Sequence, residues 1–162
     1  MHRRPDASKA TAPAILRSLT EQDFEAVVEM DRRIVGRSRR GYMEKRLEAA
    51  LRVPDAHVQL AAESGGSLVG FLLARIVEGE FGQASAAAVL EAIGVEPALQ
   101  HGGVGRKLLE RLEEVMRRRG IHELTTQAPW GNQPMLAFLE AAGFSLAPRL
   151  VLECSTNLAT LL

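Results

Sequence analysis

The residues of this 162-residue sequence best suited to chemistry run from Val95 to Leu109. There an apolar stretch passes through Glu96-Pro97-Ala98-Leu99 into Gln100-His101-Gly102-Gly103-Val104-Gly105-Arg106-Lys107 and on into a helical pattern. The first turn of a helix carries backbone N–H groups without intrahelical partners and the positive end of the helix dipole. An anion placed there is both hydrogen-bonded and electrostatically stabilised. Glycines let that backbone come close, and Arg106 and Lys107 add formal positive charge suited to phosphate oxygens. A dinucleotide fingerprint would need a third glycine where Leu108 stands, and a Walker loop would need Gly-Lys-Ser/Thr where the chain has Gly105-Arg106-Lys107. A tight turn with no ligand is the plainer use of the same glycines. The second candidate is Glu91, the one acid in the mostly apolar run from Ala84 to Val95.

The elements that must position these residues follow from periodicity. Ala14 to Leu19 reads as a strand, and Thr20 with Asp23 opens a helix whose buried stripe is Phe24, Val27 and Val28. A second helix carries Met43, Leu47, Ala50 and Leu51 at helical spacing. His57 to Glu63 and Leu68 to Val77, joined by Ser64-Gly65-Gly66-Ser67, predict an antiparallel hairpin. Ala84 to Val95 predicts a central strand with a bulge or bend near Gly94, stopped by Pro97. A helix from about Val104 to Arg119 buries Leu108, Leu109, Leu112, Val115 and Met116 and stops at Gly120. Ile121 to Ala128 is the next strand. Asn132 caps a helix that accepts Pro134 in its first turn and ends at Gly143, and Phe144 to Cys154 supplies one or two last strands.

Length and a 46% hydrophobic content suit one domain over residues 14–162 after a disordered lead, residues 1–13. Twenty basic and twenty acidic residues cancel, which argues against nucleic acid, an anionic membrane or a polyacidic substrate as partner. The single cysteine, Cys154, excludes an internal disulfide and a cysteine-based zinc site, so no metal is expected and a reduced, cytoplasmic setting fits. No apolar run reaches the roughly 18 residues of a membrane span.

Gln100-x-x-Gly103-x-Gly105 after a strand ending Val95-x-Pro97 resembles the acetyl-coenzyme A signature of the GNAT superfamily of N-acetyltransferases. Asn132, followed by Leu139 and Gly143-Phe144, is similar to that family's later helix, and the element order agrees over about residues 14 to 153. The resemblance implies an α+β fold with a mixed, mostly antiparallel sheet of 6–7 strands and about four helices. Its splayed central strand, here bulged at Ile93-Gly94-Val95, would pair with the pantetheine arm of acetyl-CoA. The loop Gln100, His101, Gly102, Gly103, Val104 and Gly105 would hold the pyrophosphate, and Arg106 and Lys107 would suit its oxygens or the 3′-phosphate of coenzyme A. Asn132 would touch the cofactor near its sulfur, although Asn is favoured there simply as a helix cap.

The implied activity is direct acetyl transfer in a ternary complex to a primary amine, whether a small molecule, a protein N-terminus or a lysine. Glu91 is expected as the base: it lies an even number of residues from Val95, on the same face unless a bulge intervenes, and an apolar strand would raise its pKa. Its other readings are pairing with a basic side chain or exposure at a splayed strand edge. A backbone N–H at Gly94 or Val95 would polarise the carbonyl. The sequence departs from the family where Leu139 occupies the usual Tyr position near the cofactor, and leucine cannot protonate a leaving thiolate. Tyr42, the one tyrosine, is a candidate donor or an aromatic packed on the second helix.

The basic segment Asp31 to Gly41 falls in what the family uses as a wall of the acceptor site, and it selects an acidic acceptor, reaches the coenzyme phosphates or is a plain charged surface. Arg117 to Arg119 complement a helix end, His101 contacts phosphate or solvent, and Glu78 and Glu80 line the acceptor mouth or are exposed. The apolar Leu158, Leu161 and Leu162 suggest a docking or homodimer surface, with a frayed terminus as the plainer reading. A non-catalytic coenzyme A binding module is the alternative function, motivated by Leu139.

Overall fold

A computed structural model describes residues 12–79 and 82–156. Most of the expected lead, the C-terminal leucines and Glu80 lie outside the described residues. The chain divides after Gln127 into two compact units.

The first unit is built on a five-stranded sheet in the order β1-β2-β3-β4-β5: β1 (Ile15–Ser18), β2 (His57–Ser64), β3 (Ser67–Val77), β4 (Ala87–Val95) and β5 (Leu124–Thr125). The first four pair antiparallel; β4 and β5 are parallel. Gly65 and Gly66, at φ +58° and +79°, close the two-residue β2–β3 turn, a conformation that favours glycine. α1 (Phe24–Val35) and α2 (Arg40–Arg52) follow β1, and α3 (Val104–Arg118) follows β4.

Each face of the sheet has its own packing. Phe71 and Leu73 of β3 form one buried cluster with Val27, Val28 and Met30 of α1 and Met43 of α2, and Ala92 of β4 packs against it. On the opposite face Gly70 lets α3 lie against the sheet, because a Cβ there would meet Val104 and Leu108 at 3.1 and 3.2 Å. The entry to α1 is pinned by Asp23, whose carboxylate accepts from the Thr20 backbone N–H and hydroxyl and takes a bidentate pair from Arg17. Arg17 holds that carboxyl at about 2, below the usual 3.8.

The second unit, from Ala128 on, contains α4 (Gln133–Ala141), capped by Asn132, whose side-chain oxygen accepts from the Met135 N–H at 3.3 Å. Gly143, at φ +92°, follows its end.

The fold is the mixed, mostly antiparallel one expected, with three differences. The described residues hold five strands rather than six or seven, since residues 144–154 form no strand: Leu146, Leu150 and Leu152 are exposed, and an apolar run becomes a strand only with a partner. β5 is two residues long rather than the eight of Ile121 to Ala128, and β4 starts at Ala87 rather than Ala84. The bulge is also displaced, with consequences for the site.

Candidate active site at the glycine loop and the β4 bulge

The loop after β4 is fixed by its own backbone. The Glu96 N–H donates to Val69 O of β3 at 2.9 Å, Leu99 N–H to Glu96 O at 2.8 Å, and the Gln100 side chain reaches back to Val95 O at 3.3 Å. His101 and Gly103 then take left-handed conformations, φ +68° and +84°, on either side of Gly102, where a Cβ would stand 3.1 Å from Leu99 O. The chain enters α3 at Gly103, which has no side chain to cap the helix. The first-turn N–H groups of Val104 and Gly105 therefore have no intrahelical or side-chain acceptor among the described residues. Arg106 is paired along the helix with Glu110, while the exposed Lys107 stands at the same end with no acidic partner among the described residues. A hollow of about 300 Å³ lies beside this loop, lined by Ser64, Val69, Gln100, Gly102, Val104 and Lys107; Glu91 lies outside it.

β4 and β5 pair only at Ala88–Leu124 and Val89–Thr125. The Thr126 hydroxyl donates to Leu90 O at 2.9 Å just beyond the last pair, and from Glu91 to Val95 the β5 side of β4 has no strand partner among the described residues. Ile93 and Val95 are half-buried on this stretch. An unpaired strand edge leading into an uncapped helix N-terminus can hold an extended, amide-bearing chain that ends in a phosphate.

The expected bulge at Gly94 lies instead at Glu91. Leu73 pairs with Ala92 and Ala74 with Leu90, so Glu91 is the extra residue of β4, whereas Gly94 keeps a regular partner in Phe71. Gly94 is needed for space: a Cβ would come within 2.5 Å of the Phe71 ring. The displaced bulge changes which way Glu91 points. Ala92 and Gly94 face α1 and α2, Val95 pairs with Gly70 on the α3 face, and the Glu91 carboxylate meets Arg46 of α2, so Glu91 and Val95 face opposite sides.

The apolar surroundings expected for Glu91 are also absent. Its side chain is 6% exposed, and Oε1 sits 3.1 Å from Arg46 Nε and 3.0 Å from Arg75 Nε of β3. The Arg46 contact is one of charge, since that Nε makes no hydrogen bond. The Tyr42 hydroxyl donates to Glu91 O at 3.0 Å, and the guanidinium groups of Arg39 and Arg46 lie over the Tyr42 ring at 5.2 and 4.7 Å.

A family model described as the Acetyltransferase (GNAT) family matches residues 16–144. The chain belongs to the GNAT family. Among curated relatives, the [ribosomal protein bS18]-alanine N-acetyltransferase of Escherichia coli K12 is 28% identical over 93 residues, 57% of this chain and 58% of that protein. The chain thus matches less than two thirds of that relative's length. Among solved structures, the aminoglycoside 6'-N-acetyltransferase AAC(6')-Ih from Acinetobacter baumannii superposes with a TM-score of 0.74 at 20% identity, covering 88% of this chain and 98% of that one. AAC(6')-Iy in complex with CoA gives 0.76 at 18% identity, covering 93% and 99%. At these identities the structural likeness establishes the fold.

In this GNAT domain the remaining predicted site residues fall in two groups. Gln100 to Lys107 form the loop and first turn already described. Asn132 and Leu139 belong to the second unit, where Asn132 caps α4 and Leu139 is buried. The Tyr42 hydroxyl is engaged by the β4 carbonyl. The basic segment before α2 is largely committed to acids: Arg32 to Glu29, Arg33 to Glu96, Arg39 to Asp31 and Arg40 to Glu25. Arg119 donates to Asp55 O, Arg118 pairs with Glu114, and Glu78 is exposed. Arg46, Arg75 and Gly70 were not legible as site residues. The one available signal was the lone acid of β4, which demands buried cations without saying which.

Proposed function

We propose that this GNAT protein transfers the acetyl group of acetyl-CoA to a primary amine by direct attack. The observation that carries the reading is the continuity between the unpaired β4 edge, Glu91 to Val95, and the uncapped N-terminus of α3. The first-turn N–H groups of Val104 and Gly105, with Lys107, would hold the pyrophosphate; the β4 edge would take the pantetheine amides. A β4 N–H at Gly94 or Val95 would stabilise the oxyanion that forms as the amine nitrogen attacks the thioester carbon. The carbon–sulfur bond then breaks and coenzyme A leaves as a thiolate. A thiol of ordinary pKa near 8.5 tolerates departure without a dedicated acid, consistent with Leu139 at the usual tyrosine position.

The acceptor class that suits this site is an α-amine. With a pKa of about 7.7–8.0, roughly a tenth of it is uncharged at pH 7, so solvent can take its proton. A lysine amine near 10.4 would need a strong base. The curated relative acts on a protein alanine, which agrees with that choice. Glu91, held between two guanidinium groups, fits the holding of Arg46 and Arg75 at the bulge; its alternative task is to receive the amine proton, and the pH profile described below separates the two. Isothermal titration of acetyl-CoA tests the cofactor assignment. Saturable binding that Gly103→Trp loses is the expected result, and no binding to folded protein would overturn the reading.

A further inference from the structure

Two consecutive carbonyls of β4 are held by side-chain hydroxyls: Glu91 O accepts from Tyr42, and Leu90 O accepts from Thr126 at 2.9 Å. The Glu91 bond answers the bulge between β3 and β4. The Leu90 bond lies where β4 and β5 part. Their parallel ladder runs through Ala88–Leu124 and Val89–Thr125, with the Ala88 N–H donating to Glu123 O at 2.8 Å. In that register the next β4 carbonyl in line is Leu90 O, and the donor a continued ladder would bring to it is the Gln127 N–H. The pair Leu90–Thr126 does not form, and the Thr126 hydroxyl stands in that donor's place. Leu90 is 4% exposed, so its carbonyl needs a partner; a hydroxyl that satisfies it removes the demand for another ladder pair.

We propose that Thr126 is a positioning residue for acetyl-CoA: its hydroxyl ends the β4–β5 ladder at Leu90 and so fixes where the unpaired edge from Glu91 to Val95 begins. Thr126 touches no ligand in this role. It acts through β4, whose free edge receives the pantetheine amides. Without the hydroxyl, the buried Leu90 carbonyl draws in the Gln127 N–H, the ladder gains a pair, and the opening between the strands narrows. The inference rests on the acetyl-transfer reading and adds the residue that keeps its cofactor edge open.

The test measures the affinity of the full chain for two probes: acetyl-CoA, by calorimetry, and 3′-phosphoadenosine 5′-diphosphate, its nucleotide half without the pantetheine arm, by competition. Thr126→Val keeps the side-chain shape and removes the hydroxyl. It should weaken acetyl-CoA by about fivefold, the worth of roughly one hydrogen bond, and leave the nucleotide's affinity unchanged. Thr126→Ser restores the hydroxyl and should bind acetyl-CoA as the parent protein does. Thr125→Val is the control one residue earlier, where the ladder still holds and the hydroxyl lies 3.5 Å from Ala88 O; it should bind both probes unchanged. A threonine that only stabilised the fold would lower the urea midpoint and weaken both probes alike, or neither. Unchanged acetyl-CoA affinity in Thr126→Val, an equal loss for both probes, a loss that Thr126→Ser does not reverse, or the same loss in Thr125→Val would overturn the inference. If Thr126→Val does not fold, Thr126→Ala against Thr126→Ser makes the same comparison. A parent protein that binds neither probe would bring down the acetyl-transfer reading itself, a distinguishable result.

Discussion

The Tyr42 hydroxyl donates to the backbone oxygen of Glu91 at 3.0 Å, joining α2 to the bulge of β4 across 49 residues of sequence. A bulge residue has no ladder partner on the neighbouring strand, so its carbonyl must find an acceptor's share of hydrogen bonding elsewhere. Tyr42 provides it, and the ring beneath that hydroxyl is covered by Arg39 and Arg46.

Tyr42→Phe keeps the ring and removes the bond. Loss of a partly buried hydrogen bond should cost about 1 kcal/mol in urea unfolding. Acetyl-CoA affinity should fall by more than that change in global stability explains, because the strand that receives the pantetheine loses its brace. Calorimetric affinity unchanged from the parent protein would show that the bulge is held by the ladder alone.

Gly94 carries a steric requirement. A Cβ would stand 2.5 Å from Phe71 Cε1, in a ring that is 1% exposed, and 3.0 Å from Ile34 Cδ1. Ile34 can turn away, but the Phe71 ring is locked in the α1–α2 core. Gly94→Ala should therefore destabilise by about 1–3 kcal/mol, the usual cost of overpacking, with a lowered urea midpoint at constant m-value. Gly103→Ala makes a useful contrast. Nothing lies within 4 Å of its Cβ, and its cost would come from φ +84° alone, about 1 kcal/mol.

How much of this was legible in the sequence can be argued from the same residues. The conformation of the loop from Gln100 to Lys107 was legible because it is local: glycine conformations and a helix start are encoded within a few residues of one another. The Thr20–Asp23 entry to α1 was legible for the same reason. The bulge was misplaced because register belongs to the pair of strands, and nothing in Ala87–Val95 alone says that Leu73 and Ala74 will skip Glu91. Arg46 and Arg75 escaped notice because Glu91 meets them through the tertiary fold, from α2 and β3. The run Leu150-Val151-Leu152 looked like a strand from composition, yet its side chains are exposed in the described structure.

Acid should loosen the start of α1 first. Arg17 holds the Asp23 carboxyl at about 2, against an ordinary 3.8. A carboxyl depressed on folding contributes stability that is complete above its unfolded value and lost as pH falls through its folded value. Stability should thus decline between about pH 4 and pH 2, and Asp23→Asn should flatten that part of the decline while lowering stability at pH 7. Urea midpoints of the two proteins across this window measure the effect. Parallel curves would show that Asp23 contributes nothing to the acid limb.

The pH dependence of turnover distinguishes the two tasks open to Glu91. If solvent takes the amine proton, log kcat/KM should rise with pH and level off near the acceptor's own pKa, about 7.7–8.0 for an α-amine. Exchanging the α-amine acceptor for a lysine side chain should then move the limb towards 10. Glu91→Gln would lower the whole profile by loosening Arg46 and Arg75 and leave its shape intact. If Glu91 instead receives the proton, the substitution should remove a limb from the profile and depress kcat more than KM. The geometry favours the first outcome, because Oε1 already faces two guanidinium nitrogens at 3.1 and 3.0 Å and the carboxylate is 6% exposed. Loss of a limb in Glu91→Gln would overrule that preference and return Glu91 to the role of base.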